Sequence, residues 1–305
     1  MPPTPSLPPD RSAILTEQRN SRSARLHAMS ALDCVALINR EDQATVDAVK
    51  NASPAITAFI HAIEPGFLAG GRLIYVGAGT SGRLGVLDAS EAPPTFCIEH
   101  GRIIGLIAGG DPALRVSSEG KEDDPQGAYA ELETLGLTNR DGVLAIAAGG
   151  TTPYATGALA CAKSLCTSTV TALLSCSPVP KPAATDHLIT LETGPEVLTG
   201  STRMKAGTAT KMTLNIISTT LMVRMGRVYE NLMVDMRASN AKLRDRAARV
   251  ISTLTGLDRG AAFALLDRAD ANVKTAIVMH RRNVPRETAE RLLAQSKGRL
   301  DQVIT

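Results

Sequence analysis

The segment from Leu73 to Gly85 constrains the fold of this chain more than any other. It reads Leu-Ile-Tyr-Val-Gly-Ala-Gly-Thr-Ser-Gly-Arg-Leu-Gly: four apolar residues predict a buried strand, and the glycines and hydroxyls after them predict a turn into a helix. Glycine lets a backbone approach a ligand closely, and the free N–H groups at a helix start attract anions. With the hydroxyls of Thr80 and Ser81, this turn is typical of a phosphate-binding loop.

Two other interpretations of this segment stay open at this point. The turn can join a strand to a helix without binding any ligand. Alternatively, Gly77, Gly79 and Gly82 fit the G-x-G-x-x-G pattern of dinucleotide-binding folds, with Glu99 near the place of the ribose-binding acid. A nucleotide P-loop is excluded, because no Gly-Lys-Ser or Gly-Lys-Thr follows.

A second strand–turn–helix unit has the same form. The apolar run from Val143 to Ala148 precedes Gly149-Gly-Thr-Thr-Pro-Tyr154. A dinucleotide fold usually needs one loop of this kind. Two of them favour a compact phosphorylated ligand that both loops contact.

Composition favours helices packed on a parallel sheet and argues against several classes of function. Hydrophobic residues make up 44% of the 305 residues, aromatic residues only 3%, and Trp is absent, so Ala, Leu, Ile and Val must build the core. The net charge of +3 is too small to indicate nucleic acid or a membrane surface as a partner. No apolar run reaches the roughly 18 residues of a membrane span, and the N-terminus from Met1 to Asp10 has the features of a flexible tail and not of a signal peptide.

The cysteines indicate the cellular compartment, and the histidines indicate whether a metal site is present. Five cysteines form an odd set without a C-x-x-C pair, and most are flanked by apolar residues, which predicts buried thiols in a cytoplasmic protein. A catalytic cysteine is the alternative. The five histidines are scattered, and the sequence shows no metal site.

Strand and helix patterns alternate from Arg72 onward, which predicts a doubly wound α/β fold with a parallel sheet and ligands at the carboxyl ends of its strands. The apolar runs lack alternation, as expected of strands covered on both faces. The predicted strands are residues 73–76, 95–98, 103–108, 143–148, 169–175 and 187–191. The predicted helices are residues 122–135, 153–165 and 204–225.

Three regions are predicted along the chain: an N-terminal tail with helices over residues 1–62, the α/β domain over 63–226 and a small helical domain over 240–305. The last region carries a charge of +6, typical of a solvated face, and repeats weakly at an offset of 27 residues. Leu265-Leu266, for example, matches Leu292-Leu293. The repeat predicts two similar helical hairpins, and a coincidental register of amphipathic helices is the alternative.

Longer motifs occur in all three regions. They are Leu-Thr-Glu-Gln-Arg-Asn at residues 15–20, the first glycine loop extended to Asp-Ala-Ser-Glu at 77–91, and the segments 105–110, 194–208, 231–235 and 240–243. Together they resemble the N-acetylmuramic acid 6-phosphate etherase family over nearly the whole chain. The resemblance implies a sugar isomerase (SIS) domain with a small C-terminal helical domain, a homodimer, a small-molecule phosphosugar as partner, and no metal or other cofactor. It also implies cleavage of the lactyl ether of N-acetylmuramate 6-phosphate, giving N-acetylglucosamine 6-phosphate and D-lactate in cell-wall recycling.

The implied chemistry requires carboxylates. The ether lies β to the C1 carbonyl of the open-chain sugar, so a base can remove the C2 proton while an acid protonates the departing lactate oxygen. By motif, Glu91 matches the family's proton donor and Glu122 its second catalytic acid. Glu119 competes with Glu122, since residues three apart share a helix face. A solvated loop acid at Glu91 and a helix N-terminal charge at Glu122 are the alternatives.

The glycine loops and the resemblance together give a set of substrate-binding residues: Thr80, Ser81, Gly149, Gly150, Thr152, Glu196, Ser201, Thr202 and Lys205. Thr80, Ser81 and the second loop are expected to hold the phosphate. For Glu196 the alternative is capping of the backbone, and for Lys205 it is a place on the surface.

Three positions in two segments depart from the family's pattern. The family usually has Ser-Gly-Arg-Thr-Pro-Tyr in the second loop, so Gly149 and Thr151 stand in place of a serine and an arginine. A lost hydrogen bond to a charged group costs roughly 1.5–3 kcal/mol, which predicts weaker binding of the usual substrate. Glu230 stands where a glycine is common. The competing functions are a non-catalytic phosphosugar sensor and an aldose–ketose phosphate isomerase.

Overall fold

The computed structural model describes residues 10–236 and 240–304, so the predicted tail over residues 1–9 lies outside the described residues. The chain divides into two compact units. The first takes its described residues from Met1–Asp88 and Ile103–Ile217, and the second from Ala89–Arg102 and Ser218–Thr305.

The first unit begins with three short 3-10 turns, Leu15–Glu17, Ser21–Ser23 and Leu26–Ala28, which lead into helices α1 (Ala31–Asn51) and α2 (Ser53–Leu68). The side chain of Ser30 caps α1 by accepting a hydrogen bond from the Asp33 N–H. Helix α2 buries apolar residues at three- and four-residue spacing, among them Phe59 and Ile63. That face packs against the sheet.

The sheet consists of five parallel strands: β1 (Leu73–Gly77), β2 (Ile103–Ile107), β3 (Gly142–Ile146), β4 (Val170–Ser175) and β5 (His187–Thr190). Their spatial order is β2-β1-β3-β4-β5. Every residue of β1 and β3 is buried, as the unbroken apolar runs predict. Helices α3 (Gly79–Phe96), α4 (Tyr129–Leu135), α5 (Pro153–Leu165) and α6 (Lys205–Arg224) complete this part of the chain.

The strand order determines where a ligand can enter. Strand β1 pairs with both β2 and β3, so the connections that leave β1 and β3 run in opposite directions and open a crevice between them. Gly77, the last residue of β1, is in register with Ile146, the last residue of β3. The two glycine loops therefore start side by side.

Most of the predicted elements are confirmed; one is wrong, and one is confirmed only in part. A strand over residues 95–98 is absent from the described residues, because α3 continues through Pro93 and Pro94 to Phe96 and ends where Cys97 adopts a φ of 50°. Proline usually breaks a helix interior, but this helix includes both prolines. A helix over residues 122–135 is confirmed only from Tyr129, since turns that include Pro125 precede it.

The second unit contains a short hairpin, β6 (Val228–Tyr229) and β7 (Leu232–Met233), and helices α7 (Ala241–Thr255), α8 (Arg259–Arg268), α9 (Val273–Arg282), α10 (Arg286–Gln295) and α11 (Asp301–Ile304). Glu230 lies in the hairpin turn at a φ of 53°, which explains why glycine suits this position.

The predicted pair of similar helical hairpins is confirmed. Helices α8 and α10 begin and end 27 residues apart. The turns repeat as well, because Asp270 and Ala271 have positive φ, as do Lys297 and Gly298 at the same offset. Leu266 and its counterpart Leu293 belong to one hydrophobic core.

None of the helices in the described part of the chain is long and apolar enough to cross a lipid bilayer.

Candidate functional site

A cavity of about 190 Å³ lies in the first unit, where the loops that follow β1 and β3 meet. Residues of both glycine loops line it, together with Glu122, Thr202 and part of the segment that precedes α1. It occupies the crevice that the strand order creates, which is where ligands bind in open α/β sheets.

The first loop forms one wall with Thr80 and Ser81. Helix α3 begins at Gly79, so both hydroxyls belong to its first turn, where N–H groups lack helical partners and the helix dipole is positive. The turn is tight: a Cβ added to Gly82 would lie 2.5 Å from the Gly77 carbonyl oxygen. The glycines therefore shape this turn by allowing the backbone to close on itself.

The second loop forms the facing wall with Gly149, Thr151 and Thr152. Thr152 is the N-cap residue of α5, yet its side chain makes no capping hydrogen bond. Gly150 has a φ of 75°, and a Cβ there would lie 2.6 Å from Val179 Cγ1, so this position requires glycine. A Cβ on Gly149 would meet Ile14 Cγ2 at 3.5 Å, an ordinary contact.

Thr202 comes from the turn that precedes α6. A Cβ added to Gly207 would lie 3.4 Å from Thr80 Cγ2 and 3.3 Å from the Thr202 carbonyl oxygen. The first turn of α6 can approach both residues because position 207 has no side chain. The neighbouring Ser201 is half-buried and lies outside the cavity lining.

Glu122 is the acid among the predicted catalytic pair that lines the cavity. Its carbonyl oxygen accepts a hydrogen bond of 2.9 Å from the Tyr154 N–H, which holds residue 122 beside the start of α5. Glu91 is not among the residues that line the cavity; it is exposed on α3 and belongs to the second unit. Glu119 lies in the 3-10 turn Glu119–Lys121.

The segment that precedes α1 adds Arg11, Ile14 and Glu17 to the cavity wall. The structure fixes this segment through the buried Thr16, whose N–H donates to Ser177 Oγ at 3.2 Å. None of these three residues is among those predicted for the site. The motif at residues 15–20 was the available signal for Glu17, but it gave no information on position.

A buried cluster of charges anchors the same segment. Glu41 on α1 accepts hydrogen bonds from Asn20 Nδ2 at 2.7 Å and from Arg22, and Lys205 Nζ lies 3.2 Å from the same carboxylate. Hydrogen bonding by Arg22, helped by Asn20 and Lys205, lowers the pKa of Glu41 to about 2 although burial opposes the shift. Lys205 is buried, so its predicted alternative, a place on the surface, is wrong.

Glu196 is fully buried and caps α6. Its two carboxylate oxygens accept hydrogen bonds from the Lys205 N–H at 3.0 Å and the Ala206 N–H at 2.9 Å. Burial raises its pKa, although the two amides oppose this shift. These contacts favour the capping alternative over sugar binding.

The hydroxyl groups of the cavity wall are unusual in lacking hydrogen-bond partners among the described residues. Five hydroxyl side chains line it, and within the described residues none of them makes a hydrogen bond: Thr80, Ser81, Thr151, Thr152 and Thr202. Two helix N-termini add free N–H groups beside them. Such a set of donors suits an oxyanion with several acceptor atoms. In the described residues no cluster of three or more His, Cys, Asp or Glu side chains is arranged to hold a metal ion.

The fold and the cavity define a class: a SIS-type α/β protein with an anion site between its first and third strands. Residues 55–163 match the family model of the glucokinase regulatory protein N-terminal SIS domain. The dinucleotide alternative is wrong, because Glu99 precedes β2, whereas the ribose-binding acid of those folds follows that strand.

Curated relatives give the family. The chain is 53% identical over 273 residues to the N-acetylmuramic acid 6-phosphate etherase of Gloeobacter violaceus, with 89% of each chain covered. It is 48% identical to the enzyme of that name from a Synechococcus species, with 97% of this chain and 94% of the relative covered. The Bacillus licheniformis relative, N-acetylmuramic acid 6-phosphate etherase 1, is 45% identical with 96% of each covered. The chain therefore belongs to the N-acetylmuramic acid 6-phosphate etherase family.

Proposed function

We propose that this protein is a carbon–oxygen lyase that converts N-acetylmuramate 6-phosphate and water into N-acetylglucosamine 6-phosphate and D-lactate, a step in peptidoglycan recycling. The observation that carries the proposal is a set of five hydroxyls around one cavity that have no hydrogen-bond partner in the described part of the chain. The relatives of this chain bear the etherase name over nearly their full length. An oxyanion ligand gives these hydroxyls the partners that the protein does not.

The phosphate is assigned to the two glycine loops. Thr80, Ser81 and Thr152 donate hydroxyl hydrogen bonds, and the first-turn N–H groups of α3 and α5 add main-chain donors. Thr202 completes the set from the α6 side. We propose Glu196, Ser201 and Lys205 as supports of this wall, since Glu196 caps α6 and Lys205 pairs with Glu41.

The reaction follows from the position of the ether. A carboxylate removes the C2 proton of the open-chain sugar, the electron pair forms the C2–C3 double bond, and the lactate oxygen leaves C3 with a proton from an acid. Water then adds its hydroxyl to C3 and a proton to C2. We propose Glu122, on the cavity wall, and Glu91, on the helix that begins at the cavity with Gly79, as the two carboxyl groups of this sequence.

We also propose a homodimer in the cytoplasm. Helix α6 exposes Ile216 and Val223 seven residues apart, and α1 exposes Leu32 and Val35, so apolar side chains remain uncovered on two long helices. All five cysteines are free thiols, which suits a reducing compartment. The predicted burial is confirmed for Cys161 and Cys176 and is wrong for the other three, which are half-buried.

The test is direct. Incubation with N-acetylmuramate 6-phosphate should release D-lactate and N-acetylglucosamine 6-phosphate in equal amounts, with one atom of solvent ¹⁸O in the sugar. Phosphosugar binding in calorimetry without D-lactate release would refute the lyase and support a sensor. Light scattering at working concentration should give the mass of two chains, and the mass of one chain would refute the dimer.

A further inference from the structure

The cavity wall has an unfavourable charge for the ligand proposed above. Its carboxylates are Glu17 and Glu122, and apart from Arg11 its other polar groups are neutral hydroxyls and main-chain amides. A sugar phosphate brings a further charge of about −1.5 to −2 at neutral pH. Helix dipoles offset part of this, at roughly half a charge each. A mobile cation from solution or a basic side chain must supply the rest.

Arg11 is the single Lys or Arg among the described residues that line the cavity. Its side chain is exposed, and the described residues give its guanidinium neither an ion pair nor a hydrogen bond. The charge of Arg11 is therefore not neutralised within the described structure. By contrast, Arg22 and Lys205 both form ion pairs with Glu41.

The backbone holds Arg11 on the side of the second loop. The Ile14 N–H donates a hydrogen bond of 3.0 Å to the Arg11 carbonyl oxygen, which makes residues 11–14 a turn. Ile14 in turn lies against Gly149, and Thr16 is fixed to Ser177 at the end of β4. The turn thus places an arginine beside the loop that carries Thr151 and Thr152.

We infer that the Arg11 guanidinium binds the phosphate of the substrate and supplies the positive charge that the two glycine loops lack. The inference rests on the proposed function and deepens it. A guanidinium presents parallel N–H donors that match two phosphate oxygens, which a lysine does not reproduce. The N-terminal segment is then part of the substrate site, and the second loop needs no basic residue of its own.

The test compares Arg11→Ala, Arg11→Lys and a matched control, Arg25→Ala, an exposed arginine of the same segment. With N-acetylmuramate 6-phosphate, Arg11→Ala should raise KM about 10- to 100-fold with kcat within about 3-fold, because the phosphate is remote from the C2–C3 bond. Arg11→Lys should lie between wild type and Arg11→Ala. An Arg11→Ala variant with the KM of Arg25→Ala would overturn the inference.

A double variant distinguishes the loss of positive charge in Arg11→Ala from a loss of structure. Thr151 lines the same cavity, so Arg11→Ala combined with Thr151→Arg returns the charge from another wall and should recover at least about 5-fold of the lost KM. No recovery, together with a lower melting temperature for Arg11→Ala, would assign Arg11 a structural role and overturn the inference.

Calorimetry with N-acetylglucosamine 6-phosphate and with inorganic phosphate makes the test independent of catalysis. If wild type binds these probes and Arg11→Ala binds them at least about 10-fold more weakly, the inference holds even where no D-lactate is released. Equal binding by both proteins would overturn it while leaving the lyase intact.

Discussion

The two ends of strands β1 and β3 differ in how their polar groups are used. At the amino ends, Asp141 accepts hydrogen bonds from the Arg72 N–H at 2.8 Å, from Arg72 Nη2 at 2.7 Å and from the Thr138 N–H at 2.8 Å. At the carboxyl ends, the hydroxyls of both glycine loops have no partner among the described residues. One edge of the sheet therefore uses its polar groups to stabilise the fold, whereas the hydroxyls at the other edge remain available to a ligand.

The largest expected effect is on catalysis. Glu122→Gln and Glu91→Gln keep the shape of the side chain but remove a titratable proton, so kcat should fall about 10²- to 10⁴-fold for each while KM changes little. The measurement is steady-state D-lactate release. Glu119→Gln is the control and should be milder; if it were the more damaging member of the pair, the second acid would be Glu119.

The amino edge should respond in the opposite manner. Asp141→Ala leaves Arg72 without its buried partner, so the free energy of unfolding should fall by roughly 3 kcal/mol while kcat stays within 2-fold of wild type. Urea denaturation measures the first quantity. Thr152→Val is the matched change at the other edge: stability within about 0.5 kcal/mol of wild type, with a higher KM. Equal losses of stability in both variants would abolish the contrast between the edges.

Glu41 contributes both to stability and to the shape of the site, because it binds Asn20 and Arg22 of the N-terminal segment and also Lys205. Its folded pKa of about 2 lies below the ordinary 4.5, so its contribution is fully present above pH 4.5 and is lost as the pH falls toward 2. We expect Glu41→Gln to lose about 2 kcal/mol at pH 7, less than the full shift implies because Arg22 is solvent-exposed. Urea titrations at pH 7, 4.5 and 3 should show wild type and variant converging. A constant difference would contradict the assignment.

The smallest expected effect concerns the second loop. Gly149→Ser adds a hydroxyl at a position where a Cβ makes only ordinary van der Waals contacts, so KM should fall while kcat stays unchanged. The gain in binding free energy should be at most the 1.5–3 kcal/mol of one hydrogen bond to a charged group, which is roughly 10- to 150-fold in KM. Gly150→Ser is the contrasting control, because a positive φ and the Val179 contact should make it destabilising. A higher KM for Gly149→Ser would mean that the ligand approaches this backbone too closely for any Cβ.

Features with local signals could be predicted from the sequence. Both glycine loops, five of the strands and the repeated hairpins depend on residues close together in the chain, and the structure confirms them. The burial of Lys205 could not be predicted, since its partner Glu41 is 164 residues away. The same applies to the N-terminal cavity wall, which depends on a contact between Thr16 and Ser177, 161 residues apart. Such contacts carry no periodicity, cap or turn signal.

The attachment of the N-terminal segment has a consequence for the order of folding. Thr16 binds Ser177, and Asn20 Nδ2 donates to the Pro195 carbonyl oxygen across 175 residues. The ribosome makes these first residues early, but their partners emerge only after most of the chain. Closing loops of this length is entropically costly and delays such contacts. We expect the sheet to form before the cavity wall is complete, so that in refolding experiments the recovery of phosphosugar binding should lag behind the burial of β1 and β3.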